Sequence, residues 1–138
     1  MHWGGIISGL AFLILALWIC AIDMREHRIP NLSLLLLSVV IEFHFKYLER
    51  VHLIHSHLLA LAVLIFGFAI NLTLRGAIGM GDIKLFSLLT LLTGHLESVL
   101  RSLIYACCIA WVWALTVRKQ RIPFAPPLFL GFFIALVT

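Results

Sequence analysis

The chain has 138 residues, of which 63% are hydrophobic and only 12% charged, with a net charge of +4 and a mean hydropathy of +1.13. Soluble domains are about half apolar and about a quarter charged, so there are too few charges here to cover a water-facing surface. That excludes a soluble globular domain, a disordered chain and a nucleic-acid-binding module, and it leaves an integral protein of the lipid bilayer.

A helix needs about 20 apolar residues to cross the hydrocarbon core. Trp3–Ile22 carries no charge and is the first such helix. Met1, His2 and Trp3 lack the basic region that opens a signal peptide, so this run is expected to be retained as a membrane helix. Its Gly5-Ile6-Ile7-Ser8-Gly9 offers a small-residue face on which a neighbouring helix can seat. A second helix is expected after Asn31 through Leu32–Val40, with a continuation past Glu42 to Leu48 left open. The third is Leu58–Leu74, and the fourth begins near Asp82 and ends around Leu92, before Gly94. The fifth is Leu103–Val117, flanked by Arg101 and by Arg118, Lys119 and Arg121, and the sixth runs from about Pro127 to Val137. The expected fold is an all-α integral membrane protein, a six-helix transmembrane bundle whose second, fourth and sixth spans are short. No long linker, low-complexity tract or internal repeat divides it, so residues 1–138 read as one polytopic domain.

Basic residues gather on the cytoplasmic side of membrane proteins. The first, third and fifth connections hold seven of them, Arg25, Arg28, Arg75, Lys84, Arg118, Lys119 and Arg121. The second and fourth hold three, Lys46, Arg50 and Arg101. The odd connections are therefore expected in the cytoplasm and both termini outside.

The chain has only two aspartates. Asp23 closes the first helix in Ile22-Asp23-Met24-Arg25-Glu26-His27-Arg28-Ile29-Pro30-Asn31, and Asp82 opens the fourth in Gly79-Met80-Gly81-Asp82-Ile83-Lys84. Both fall on the same expected side. A carboxylate at membrane depth is costly to keep, and its default reading is functional. The plain alternative makes Asp23 a solvated loop residue and Asp82 a helix N-cap after a glycine turn. Two such residues at one face of a chain so poor in charge favour the functional reading. Gly76, Gly79 and Gly81 crowd ahead of Asp82, where glycine permits positive φ and the close approach of another chain.

These stretches resemble a known family. Asp23-x5-Ile29-Pro30-Asn31, followed after the third helix by Gly79-x-Gly81-Asp82-x-Lys84, is similar to the motifs of the prepilin peptidases, GxGD-type aspartyl proteases of bacterial and archaeal membranes. Arg121-Ile122-Pro123-Phe124-Ala125-Pro126, ahead of an apolar helix containing Gly131, is similar to a third stretch of that family. The resemblance implies that Asp23 and Asp82 are the catalytic pair and that Gly79 and Gly81 shape the loop; Pro30, Asn31 and Lys84 are the further candidates for positioning substrate or the loop, Lys84 at a basic position to which the family pattern alone assigns no role. It implies further that the chain removes basic leader peptides from type IV prepilin-like protein substrates, at the cytoplasmic face of a prokaryotic cytoplasmic (inner) membrane. Longer members of the family carry a domain with paired CxxC motifs, associated with zinc and with N-methylation. Here Cys20, Cys107 and Cys108 form no CxxC, and only Met1 and His2 precede the first helix. The chain resembles the short, peptidase-only branch, so neither methylation nor a metal or other cofactor is expected.

Two carboxyl groups brought together share a proton and titrate as a unit. One can take a proton from an attacking water while the other donates to the scissile carbonyl oxygen. The reading from another class is a non-catalytic transport or assembly subunit using the same pair as a proton relay, but transporters usually show repeated halves, and none is visible. His44, His52, His55 and His57 have some metal-like spacing, yet they stand in the second connection, opposite the aspartates, and no metal site is expected there. Glu42 and Glu97 stand at helix spacing from Lys46 and Arg101. Trp3, Trp111 and Trp113 read as interface anchors or lipid-facing bulk.

Overall fold

The computed structural model describes residues 3–48, 53–76, 78–117 and 122–138. For residues 3, 45–48 and 53 the backbone alone is described. Six helices follow one another: α1 Trp3–Glu26, α2 Asn31–Leu48, α3 Leu53–Thr73, α4 Met80–Thr93, α5 Leu96–Val117 and α6 Ala125–Val137. No strand occurs among the described residues. Three helices, α1, α3 and α5, are long and apolar enough to cross a membrane. The protein is an all-α membrane protein.

Most helices are longer than their apolar runs. α3 begins at Leu53 rather than Leu58, taking His55, Ser56 and His57 into its first turns, and α5 begins at Leu96 rather than Leu103. In α5 the added turns are held by an ion pair between Arg101 and Glu97 at 2.8 Å, four residues apart. α1 continues four residues past Ile22, and α2 takes the longer of its two expected forms. Polar residues at the ends of a membrane helix keep its backbone bonded while their side chains reach the interface, so hydropathy alone underestimates these lengths. His44, His55 and His57 accordingly stand on helices and not in a connecting loop, whereas His52 lies outside the described residues.

The short helices are short because protein surrounds them. α4 has 14 residues and α6 has 13; at 1.5 Å per residue each is roughly 20 Å long, against about 30 Å of hydrocarbon. A backbone ending inside lipid would leave polar groups unpaired, which is tolerable only where protein or a wet cavity receives them. α4 is the centre of the bundle and touches α2, α3, α5 and α6, while α1 rests on α2 and α6. Its Ile83, Leu85, Leu89 and Leu91 are buried, together with the polar Ser87, Thr90 and Thr93. Ser87 donates a hydrogen bond of 2.7 Å to the Ala60 carbonyl of α3, which ties the two helices by a polar link in an apolar setting. Phe12 of α1 packs its ring against Phe129, Phe132 and Phe133 of α6, at centroid distances of 6.2, 6.2 and 6.1 Å.

The helices alternate in direction. The C-terminal ends of α1 and α3 and the N-terminal ends of α2, α4 and α6 share one end of the bundle, as the contacts of the next section show. At the far end Ser8 of α1 and His44 of α2 share a hydrogen bond of 2.7 Å, and His57 of α3 meets Glu42 of α2 at 2.6 Å. Glu42 thus pairs across to α3; the side chain of Lys46, its expected partner, lies outside the described residues. An apolar cavity of about 300 Å3 lies between Phe12, Ile41, Leu92 and Phe132 toward this far end.

Close approach between helices occurs at α5 and α6, not on α1. A Cβ added at Gly131 would stand 2.6 Å from both the Ala106 nitrogen and the Ser102 carbonyl oxygen. Those are backbone atoms of α5 and have little room to give. At Gly5 and Gly9 an added Cβ meets nothing within 4 Å, so among the described residues neither glycine is needed for a close helix approach; the contact of this stretch with α2 runs through Ser8. Trp111 faces outward, in keeping with lipid-facing bulk, and the Trp3 side chain lies outside the described residues. Gly131→Ala is expected to destabilise the detergent-solubilised protein by roughly 1–3 kcal/mol through overpacking, read as a lowered Tm. Gly5→Ala is expected to leave Tm unchanged or slightly raised, since alanine is the better helix former.

Candidate active site

Asp23 sits in the last turn of α1 and is 4% exposed, so it is neither solvated nor in a loop. Its main chain and side chain hold different segments. The Asp23 carbonyl accepts the His27 N–H at 2.9 Å, and His27, at φ 51, ends α1 in the left-handed conformation. The carboxylate Oδ2 accepts the Ala125 N–H at 2.8 Å, a contact spanning 102 residues of sequence. The reason lies in α6. Its first three residues are Ala125, Pro126 and Pro127; proline has no N–H, so Ala125 carries the sole donor among them. Phe124 at the N-cap gives no side-chain hydrogen bond. Asp23 therefore caps α6 from another helix, where helix N-termini favour a carboxylate.

The chain leaves α1 and turns back through Ile29 and Pro30. The Pro30 carbonyl accepts the Ser33 hydroxyl at 2.7 Å and the Leu34 N–H at 3.4 Å, which starts α2 at Asn31. Two contacts then join this turn to α4. A Cβ on Gly81 would stand 2.9 Å from Ile29 Cβ, so only glycine lets the buried Ile29 press against the start of α4. Lys84 Nζ donates to Asn31 Oδ1 at 3.0 Å. Residues of the first motif thus pack on residues of the second.

Asp82 stands at the third position of α4. The N-cap is Gly79, in an extended conformation, whose carbonyl accepts the N–H groups of Asp82 and Ile83 at 3.1 and 3.2 Å. Asp82 is not the N-cap that the glycine turn suggested. Its Oδ2 lies 2.6 Å from where a Gly79 Cβ would be, so the carboxylate folds back over the bare glycine. Among the described residues no group hydrogen-bonds to it. The Ile29–Gly81 and Asn31–Lys84 contacts set the segment that follows Asp23 against the start of α4, so the two aspartates stand at the same end of the bundle. Arg25, Arg28 and Arg75 are exposed at that end, with Arg28 paired to Glu26 at 3.1 Å.

Of the seven residues singled out from the sequence, Asp23, Pro30, Asn31, Gly79, Gly81, Asp82 and Lys84, all lie in this one region. Arg121 of the third stretch lies outside the described residues, but Ala125 of that stretch meets Asp23. Sequence reasoning missed the Asp23–Ala125 contact and the role of Asn71, whose carboxamide holds the segment ahead of α4. A helix opening Phe-Ala-Pro-Pro, without a local Ser, Thr, Asp or Asn cap, was the available sign of the first. Among the described residues no group of three or more His, Cys, Asp or Glu side chains is arranged to hold a metal ion.

Residues 10–115 match the type IV leader peptidase family. The chain belongs to that family. The matched span contains both aspartates and the segments around them, and ends before the Arg121–Pro126 stretch. No curated protein and no solved structure matches the chain. Membership makes it a membrane peptidase acting on a protein substrate.

The cap contact sets how each aspartate responds to substitution. Asp23→Ala leaves the buried Ala125 N–H without an acceptor, and is expected to cost about 1–3 kcal/mol of stability. Asp23→Asn keeps an oxygen for that N–H and should hold Tm within a few degrees of the parent, measured by thermal unfolding in detergent.

Proposed function

We propose that the chain is an aspartyl endopeptidase that cuts the basic leader from type IV prepilin-like proteins at the cytoplasmic face of a prokaryotic inner membrane. The observation that carries this reading is that the fold brings the segments of both aspartates together. Asp23 and Asp82, 59 residues apart in sequence (82 − 23), stand at one end of the bundle, where Ile29 packs on Gly81 and Lys84 reaches Asn31. Family membership supports the peptidase class, and the GxGD segment around Asp82 supports the aspartic type. Residues 1–138 then form a single peptidase domain.

The two carboxyls have unequal surroundings, and this divides the work. Asp23 Oδ2 is committed to the Ala125 N–H, which leaves Oδ1 to face a reacting water. Asp82 has no hydrogen-bond partner among the described residues and turns on the N-terminus of α4, free to follow the substrate. The pair shares one proton. The carboxylate member takes a proton from water as its oxygen bonds to the scissile carbonyl carbon, and the carboxylic acid member gives its proton to the carbonyl oxygen. When the tetrahedral intermediate collapses, the pair gives its proton to the departing amine, the C–N bond breaks, and one hydroxyl of the intermediate returns its proton to the pair as the carbonyl re-forms. Two products leave, and the pair again holds one proton.

The substrate's apolar helix stays in lipid while its leader lies along the interface beside Arg25, Arg28 and Arg75. Those exposed cations, with Lys84, support a cytoplasmic placement of this end. A basic leader is not drawn to them directly, and anionic headgroups between the two supply the attraction. The cut must be made on an extended segment, because a carbonyl bonded within a helix is closed to attack.

Co-expression with a type IV prepilin tests the reading, scored by the shift from precursor to mature size. Asp23→Asn and Asp82→Asn are each expected to abolish the shift at unchanged membrane levels; full processing by either variant overturns the assignment. Gly79→Ala is expected to fold normally yet lower kcat by about 10- to 100-fold, because its methyl displaces the Asp82 carboxylate by an ångström or more. Initial rates on purified prepilin in detergent measure it.

A further inference from the structure

We infer that Asn71 is a positioning residue for Asp82, clamping the segment that leads into α4; the inference rests on the aspartyl reading given above. Asn71 is the third residue from the end of α3, follows the apolar run Leu58–Ile70 and is buried. The helix ends without help from its side chain. The Gly76 N–H bonds to the Asn71 carbonyl at 2.8 Å and the Arg75 N–H to the Leu72 carbonyl at 3.2 Å. Those two bonds, with Arg75 at φ 54 and Gly76 at φ 80, complete a Schellman ending through main-chain groups alone.

The carboxamide is used further along. Its Oδ1 accepts the Ile78 N–H at 3.0 Å, and its Nδ2 donates to Met80 Sδ at 3.3 Å. One side chain therefore grips the chain on both sides of Gly79. Gly79 is the N-cap of α4 and the residue over which the Asp82 carboxylate folds. A segment with glycines at 76, 79 and 81 has little stiffness of its own. An oxygen anchored in α3 and bonded to a backbone N–H supplies what the glycines withhold. The sulfur contact is weak, since a thioether is a poor acceptor, so the acceptor half of the clamp matters most.

The test uses the full chain in detergent with a purified type IV prepilin, measuring kcat and KM separately. Asn71→Ala and Asn71→Leu both remove the clamp and are expected to lower kcat about 100-fold with KM unchanged, because Asp82 loses its register while the substrate surface stays. Asn71→Asp restores an oxygen for the Ile78 N–H and is expected to recover most of kcat. Thr73→Val is the control, because Thr73 is exposed and bonds only to Ile70 of its own helix; it should match the parent. A folded Asn71→Ala or Asn71→Leu with parental kcat, or with raised KM and parental kcat, overturns the inference. If neither accumulates in the membrane, Asn71→Asp decides: kcat within about threefold of the parent supports the clamp, and a loss as deep as that of Asp82→Asn overturns it. Asp82→Asn run alongside separates the two claims. An active Asp82→Asn ends the aspartyl reading itself, whereas an inactive Asp82→Asn beside a fully active Asn71→Ala ends the clamp alone.

Discussion

One hydrogen bond carries much of the architecture of this site: the Ala125 N–H to the Asp23 carboxylate. It satisfies the only donor in a first turn that is otherwise proline, and it draws the last helix against the end of the first. Without it a buried N–H would face apolar surroundings unpaired, which is costly at any depth in a bilayer. The same bond fixes one oxygen of Asp23 and so orients the whole side chain. Structure and chemistry are thus loaded onto one residue, and only a substitution that keeps the oxygen separates them.

The second constraint is the crowding of backbone around α4. Glycine at 81 admits Ile29, Lys84 reaches Asn31, and Ser87 reaches the carbonyl of Ala60. These contacts climb α4 in steps of about one turn, the first two to the α1–α2 turn and the start of α2, the third to α3. A helix too short to cross a bilayer is thereby held at fixed height by its neighbours. Asp82, at its N-terminal end, inherits that height. The gathering of two acidic residues from distant parts of the chain at one end of the bundle then follows from helix packing, with no long loop needed to carry either one.

The sequence was informative where chemistry is rare. Two aspartates in a chain with so few charges, each beside a turn of Gly or Ile-Pro-Asn, marked the site before any geometry was known. Six helices were legible from the apolar runs, but not their ends. The first turns of α3 and α5 contain His55, His57, Glu97 and Arg101, residues that lower hydropathy while leaving helical hydrogen bonding intact. The Gly5–Gly9 spacing pointed to a close helix approach for which the described residues need neither glycine, because small residues permit close packing without compelling it. The contact that does need glycine, at Gly131, has no repeat spacing to announce it. Asn71 and Ala125 were illegible for a different reason: each acts on a segment whose nearness only the folded chain reveals.

α1 and α3 finish alike. In both, the residue that turns into left-handed space is not glycine but one with a long, nitrogen-bearing side chain, His27 or Arg75. An L-residue there gives up roughly 1–2 kcal/mol relative to an ordinary backbone. What stands at each helix end is an exposed, polar, nitrogen-bearing side chain. Such a group keeps its polar tip in water or among headgroups, so the ends of α1 and α3 resist sinking into hydrocarbon, and the turns that lead away from them stay at the interface.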